Sequence, residues 1–151
     1  MSGYDTDLLE WSERQADLLR RLGAGEKVNN QVDWENIAEE IESLGQSERR
    51  SSAKYIRTVI EHLAKLEASP VSEPRIGWRA TIMRTRLDIQ DLLESSPSLR
   101  PTLDMVVSEQ MPRGLKLAMA ALVLYGETPR IEVQQVNYTT DQITGDWFPG
   151  I

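Results

Sequence analysis

The chain has 151 residues, 40% of them hydrophobic and 27% charged, with a formal net charge of −7. This balance is typical of one globular domain that buries a core without disulfides or metals, and it excludes a disordered chain. The lack of cysteine excludes disulfides, thiolate zinc sites and cysteine nucleophiles, while the negative charge argues against general nucleic-acid binding.

Two helices are predicted first, over residues 7–22 and 34–44, because a glycine follows each amphipathic run. The second run has apolar residues at the spacing of one helix face, namely Trp34, Ile37, Ala38, Ile41 and Leu44. Its tryptophan is most simply a core or cap residue. Three glutamates lie beside this face and form what we call the glutamate stripe: Glu35, Glu39 and Glu42.

Two longer helices are predicted next, over residues 47–66 and 73–95. The fourth helix carries apolar residues on two opposite sides. One side has Trp78, Ile82, Ile89, Leu92 and Leu93, and the other has Ile76, Ala80, Met83 and Leu87. Such a helix either lies in the middle of a bundle or contacts another subunit, so the pattern favours a homo-oligomer.

A fifth helix is predicted over residues 99–125, interrupted or kinked at Pro112. Its second half, residues 115–125, is apolar nearly all round, which predicts burial. Residues 126–151 are predicted to form an extended C-terminal tail with room for a short strand. The sequence therefore predicts an all-α fold, a compact bundle of about five helices and a tail in a single domain over residues 1–151.

Charge is distributed unevenly along the chain. Residues 1–48 carry 12 acids and 4 bases, whereas residues 49–100 carry 10 bases and 6 acids. The simplest interpretation is that an acidic segment folds beside a basic one.

The glutamate stripe is a weak candidate for a metal site, since clustered carboxylates suit magnesium or calcium. The helical di-iron pattern of Glu-x-x-His pairs is missing, and the alternative is a solvated stripe or one paired with arginines. His62, the only histidine, is a candidate for proton transfer or ligand binding, and otherwise a packed, hydrogen-bonded side chain. No cofactor is predicted.

Three arginines of the fourth helix, Arg75, Arg79 and Arg86, lie on a flank between its two apolar sides. If they are partly buried they need carboxylate partners, such as the glutamate stripe, or an anionic ligand. They are therefore candidate ligand-binding residues for an anionic small molecule or nucleic acid.

Several segments resemble a bacterial family of unknown function, domain-of-unknown-function family 29. The matching segments are residues 4–11 (YDTDLLEW), 33–45 (DWENIAEEIESLG), 47–50 (SERR), 61–63 (EHL), 78–82 (WRATI), 95–101 (SSPSLRP) and the closing segment with Tyr138 and Trp147. The chain departs from the pattern at residues 65–70 and at Pro112. The resemblance implies an α-helical protein of the bacterial cytosol, and it implies no catalytic residues.

The sequence supports three hypotheses about function, which are given from the best supported to the least supported. The leading hypothesis is a non-enzymatic interaction module that self-associates through the fourth helix or through residues 115–125, with another protein partner as a further possibility. Binding of an anion by the arginines is the alternative. A hydrolytic or metal-dependent enzyme built on His62 and the glutamate stripe ranks last, because the sequence has no nucleophile elbow, phosphate loop or dinucleotide fingerprint.

A cytoplasmic location without membrane contact is expected. The N-terminus lacks the basic and apolar pattern of a signal peptide, and the apolar run of residues 117–125 is shorter than the roughly 20 residues that span a bilayer.

Overall fold

The computed structural model describes residues 3–71 and 74–150 and shows five α-helices and no strand within those ranges. The helices are α1 (Leu8–Gly23), α2 (Trp34–Ala68), α3 (Arg75–Ser95), α4 (Leu103–Leu124) and α5 (Thr140–Thr144). Short 3-10 helices cover Asn29–Gln31, Pro97–Thr102 and Val133–Gln135. The predicted all-α class is confirmed.

The chain divides into two compact units, Met1–Ser47 and Glu48–Ile151, which are described one at a time. Helix α2 contributes its first part to one unit and its remainder to the other. The prediction of a single domain over residues 1–151 stays a prediction.

The first unit has a small core of Leu18, Val28 and Val32, against which Leu22 and Ile37 pack. Polar contacts at Asp33 add to it. The Asp33 carboxylate accepts a hydrogen bond from the Trp11 indole (2.9 Å), and its backbone N–H donates to the Gln15 side chain (2.8 Å). Hydrogen bonds from the side chains of Asn36 and Trp11 stabilise the charged carboxylate and so lower the pKa of Asp33.

The second unit has the main core, which is built around the second part of α2. Four side chains of this part, Ile56, Val59, Ile60 and Leu63, have no exposed surface. Helices α3 and α4, the 3-10 helix between them and the C-terminal segment supply further members of the cluster, of which the larger ones are Trp78, Ile82, Ile89, Leu92, Leu93, Leu99, Leu103, Val107, Met111, Leu115, Leu122, Val133, Tyr138 and Ile143. Burial of this apolar surface is the main stabilising contribution to the unit.

Helices α2 and α4 pack closely at Gly114. A Cβ atom on this residue would lie 2.6 Å from Ile60 Cγ2 and 3.1 Å from the Arg57 carbonyl oxygen. Real Cβ atoms do not tolerate such contacts, so the missing side chain of Gly114 is what allows the two helices to pack at this distance.

The prediction of separate helices over residues 34–44 and 47–66 is wrong, because α2 is one helix of 35 residues. Gly45, which in the sequence predicts a helix end, lies inside it. A glycine in an exposed helix interior costs only about 1 kcal/mol relative to alanine, and no proline or loop sequence follows to break the helix.

The fifth predicted helix, residues 99–125, also differs from the structure. A 3-10 helix precedes α4, and α4 runs through Pro112 without interruption. Pro112 lies on the exposed side of the helix, where water can satisfy the carbonyl that loses its backbone donor. Burial of residues 115–125 holds for Leu115, Ala118 and Leu122 but not for their outward neighbours Leu117, Val123, Leu124 and Tyr125.

The ends of the other elements shift by a residue or two. Helix α1 begins at Leu8, after the Asp7 carboxylate that accepts a hydrogen bond from the Glu10 amide (3.0 Å). The predicted start of the fourth helix at residue 73 falls outside the described residues. The predicted tail contains a 3-10 helix and α5, and no strand within residues 126–150.

Replacing Gly114 by alanine is expected to lower the free energy of unfolding by about 1–3 kcal/mol, because the new methyl group overlaps Ile60. The matched control is Gly77→Ala in α3, where a Cβ meets nothing within 4 Å. That substitution is expected to raise the free energy of unfolding by about 0.5 kcal/mol. Chemical denaturation measures both, and equal effects would contradict the close approach.

Candidate functional site

Arg75, one of the predicted anion-binding residues, is buried at the end of α2. Its guanidinium donates hydrogen bonds to the carbonyl oxygens of Leu66 and Ser69, each at 2.7 Å. Burial is the main cause that lowers the pKa of Arg75. Because these carbonyls belong to the C-terminal end of a buried helix, the arginine supplies donors that the helix itself lacks.

Arg86 has the same kind of role at the C-terminal segment. Its guanidinium donates to three backbone carbonyls, those of Ile143 (2.9 Å), Gln142 (2.7 Å) and Trp147 (2.6 Å). These oxygens lie in and after α5, so Arg86 fixes this segment onto α3. Burial is again the main cause that lowers the pKa of this arginine.

Arg79 lies between these two residues in sequence but has a different environment. Its guanidinium stacks over the ring of Phe148 at 4.7 Å, and Arg86 stacks on the same ring at 4.9 Å. Such cation–π contacts stabilise the aromatic side chain on the helix. The three arginines therefore do not form an open cleft of free guanidinium groups.

His62 is partly buried on α2, with 15% of its side chain exposed. Its Nδ1 donates to the Thr58 carbonyl oxygen at 2.8 Å, one turn earlier in the same helix. Burial is the main cause that lowers the pKa of His62, so the neutral ring is favoured. The ring is held by its own helix and largely covered. This environment fits a packed, hydrogen-bonded side chain better than a group that transfers protons.

A buried lysine lies beside this histidine. The Lys65 ammonium group lies 3.4 Å from a Glu61 carboxylate oxygen and 5.1 Å from the centre of the Trp78 ring. The carboxylate and the aromatic face are the contacts that the buried ammonium group makes. The burial of Lys65 depends on the tertiary contacts around the end of α2, which helical spacing in the sequence does not show.

The glutamate stripe is exposed, and none of its three members forms an ion pair with any residue in 3–71 or 74–150. In that same part of the chain, no group of three or more histidine, aspartate or glutamate side chains is arranged to hold a metal ion. The stripe is thus a solvated acidic face in the structure, and the geometry gives no support to a metal centre.

Further buried polar contacts involve residues that sequence patterns did not indicate. The Tyr138 hydroxyl donates to Glu67 at 2.6 Å, and burial together with this carboxylate raises the pKa of Tyr138 well above its usual range. The Ser69 hydroxyl donates to Glu127 at 2.7 Å. Each pair joins the end of α2 to the segment after α4, so these contacts fix the chain rather than open a pocket.

The outer side of α3 is a row of apolar residues exposed to solvent. We call Ile76, Ala80, Met83 and Leu87 the α3 stripe. All four are exposed, to 80% for Ile76 and 60% for both Met83 and Leu87. A groove of about 320 Å³ runs beside the stripe, between Met83 and Leu87 on one side and Phe148 on the other. An apolar surface of this kind is typical of a binding site for another protein.

These features define an all-α protein with arginine-capped helix ends and an exposed apolar helix face. The chain belongs to the family described as domain of unknown function DUF29, which it matches over residues 3–148. It is also similar to the crystal structure of an α-helical protein of unknown function from Rhodospirillum rubrum ATCC 11170. The two are 25% identical with a TM-score of 0.66, and the match covers 97% of this chain and 91% of that chain.

No curated protein matches the chain. Among the helices of residues 3–71 and 74–150, none combines the length and apolarity needed to cross a membrane.

Replacing Arg86 by methionine is expected to lower the free energy of unfolding by about 2–4 kcal/mol, because three partly or fully buried carbonyls lose their donor. The control is Arg113→Met, at an exposed position of α4, with an expected change within about 0.5 kcal/mol. Hydrogen exchange should show lost protection in residues 138–148 of the Arg86 variant alone. Unchanged protection there would contradict the assigned role.

Acidification is expected to destabilise the protein through His62. Its folded-state pKa lies below the ordinary value of about 6.5, so between the two values the unfolded chain binds a proton that the folded chain does not. Stability therefore falls as pH drops through this range. His62→Gln should show a smaller fall in the free energy of unfolding between about pH 7.5 and pH 5.5. An equal fall in both proteins would show that His62 makes no contribution.

Proposed function

We propose that this protein is a non-enzymatic interaction module that self-associates through the α3 stripe. The observation that carries the proposal is the exposure of four apolar residues on one face of a helix whose opposite face is the core. Residues at positions 76, 80, 83 and 87 fall within about 60° of one another around a helix, so they present one continuous strip about three turns long.

The arrangement of α3 makes this surface suitable for binding. The opposite side of the helix contains Trp78, Ile82 and Ile89, which are buried and hold α3 rigidly on the core. Arg86 and Phe148 support one edge of the stripe through the contacts already described. A rigid apolar face loses little conformational entropy on association, which favours stable binding.

A second exposed apolar region lies at the end of α4 and includes Val123, Leu124 and Tyr125. Val123 and Tyr125 point in other directions than Leu124, which shares its face with Leu117 and the half-buried Ala121 over only two turns, so this apolar strip is shorter than the α3 stripe. The α3 stripe is therefore the better candidate for the interface.

Binding of an anion by Arg75, Arg79 and Arg86 stays a prediction that the geometry does not favour. Two of the three guanidiniums already donate to backbone carbonyls, and a ligand would have to replace those hydrogen bonds. Proton transfer by His62 would need an open pocket and a reacting group beside the ring. The contacts of His62 described above include neither.

Replacing Met83 by aspartate is expected to weaken self-association at least about a hundredfold, because a charge would be buried at the centre of the interface. The control is Leu124→Asp at the end of α4, where the native leucine is 85% exposed. Sedimentation velocity of the purified full chain measures both. A wild-type chain that stays monomeric in the micromolar range, or dissociation by Leu124→Asp alone, would overturn the proposal.

A further inference from the structure

We infer that α3 of one copy packs antiparallel against α3 of a second copy, around a two-fold axis level with residue 86. This inference rests on the proposed self-association and names the surface that receives the α3 stripe, which is the same stripe of the second copy. The α3 residues of this contact all belong to the second unit of the chain. In such a pair each contact occurs twice, because the two copies exchange the same residues.

The charges beside the α3 stripe change sign along the helix. Arg84, Asp88 and Asp91 lie on one edge of the stripe, within about 60° of one another around the helix. Arg84 and Asp91 are exposed, and Asp88 is half-buried. None of the three forms an ion pair with any residue in 3–71 or 74–150. This edge therefore presents a positive and a negative part to a partner.

An antiparallel pair brings these opposite charges together. A two-fold axis perpendicular to two facing helices places the same edge of both helices on the same side of the contact. With the axis level with residue 86, Arg84 of one copy is level with Asp88 of the other and about 4.5 Å along the helix from its Asp91. Opposite charges along the edge of an apolar contact favour the correct partner and the correct direction.

The same position of the axis suits the apolar residues. Met83 falls between the levels of Leu87 and Gln90 of the second copy, and Leu87 falls between the levels of its Met83 and Leu87. Large side chains therefore insert between those of the facing helix, as close helix packing requires. The groove of about 320 Å³ between this part of α3 and Phe148 has its α3 lining from Met83 to Gln90, so it lies at the level of the axis and gives the inserted side chains room.

Other occupants fit the charges of this edge less well. Nucleic acid or an anionic membrane surface would be attracted by Arg84 but repelled by the two aspartates that follow it. A second copy of α3 supplies both signs of charge in the reverse order, which is what the edge requires.

Another exposed apolar face occurs at the start of α2, in the first unit. Trp34 is 52% exposed and Ile41 is 66% exposed, which corrects the prediction that Trp34 is a core residue. The glutamate stripe lies beside this face, and residues 34–48 contain five acids and no base. Two copies of the face would therefore repel each other, so α3 is better suited to pair with itself.

The test uses charge-reversal variants of the full chain. Variant R84E makes the edge of the α3 stripe wholly acidic, and variant D88R/D91R makes it wholly basic. Each alone is expected to weaken self-association about tenfold or more, since both charged contacts of the dimer become repulsive. An equimolar mixture should form heterodimers with nearly wild-type affinity, because an acidic edge then faces a basic one. The triple variant R84E/D88R/D91R inverts the order of the charges and should self-associate like the wild type.

The matched controls are R113E and E109R, at exposed positions of α4, and each should leave self-association unchanged. Sedimentation velocity measures every variant, and native mass spectrometry of the mixture identifies the heterodimer by its mass. If Met83→Asp dissociates the protein while R84E and D88R/D91R do not, or if the mixture or the triple variant stays dissociated, this pairing is overturned and self-association through the α3 stripe stands. If the wild type is a monomer, both the pairing and the proposed function fail.

Discussion

The buried C-terminal end of α2 is the constraint on which the second unit depends. Its last turns lie inside the core, where water cannot reach the carbonyl oxygens that a helix end leaves without donors. The protein brings donors from distant parts of the chain to this place. Arg75 binds the carbonyls of Leu66 and Ser69, and the Arg130 backbone N–H binds that of Ala68 at 2.8 Å. The positions of the start of α3 and of the segment after α4 follow from this requirement.

The same solution appears at α5, and it explains why the arginines of α3 resemble a ligand site without being arranged as one. A guanidinium presents several donors in a plane, so a single side chain can bind two or three carbonyls that point in different directions. Arg86 does so for a helix of only five residues that has little stability of its own. Partial burial of arginine was predictable from the helical wheel, but the identity of the acceptor was not.

Features set by local periodicity could be predicted from the sequence, and features set by tertiary contacts could not. The two faces of α3 were predictable because apolar residues at helical spacing determine their direction, and Ile82 is buried while Met83 is exposed, as expected. Gly23 and Gly45 look alike in sequence and both are helical, yet α1 ends at Gly23 because Gly25, two residues later, adopts a left-handed conformation with φ 95°. The importance of Gly114 was not predictable, since it depends on Ile60, more than fifty residues away.

The solvent exposure of apolar residues was the least predictable property. Trp34 and Trp78 both occur on amphipathic helices, but only Trp78 faces the core. A periodic pattern indicates that one face of a helix is apolar. It does not indicate whether the surface that packs on this face belongs to the same chain. The exposed side of α2 with Trp34 and Ile41, the α3 stripe and the end of α4 all share this ambiguity, which only contacts and burial resolve.

The unequal environments of the four tryptophans give the protein an internal optical reporter. Trp11 and Trp78 are buried, Trp147 is partly covered by Tyr138, and Trp34 alone among them is more than half exposed. Its emission should be the most red-shifted of the four and the most accessible to a soluble quencher such as acrylamide. Light from Trp34 therefore reports on the surface of α2 with no label attached, and any molecule that covers this face changes the colour and the quenching of the unmodified protein.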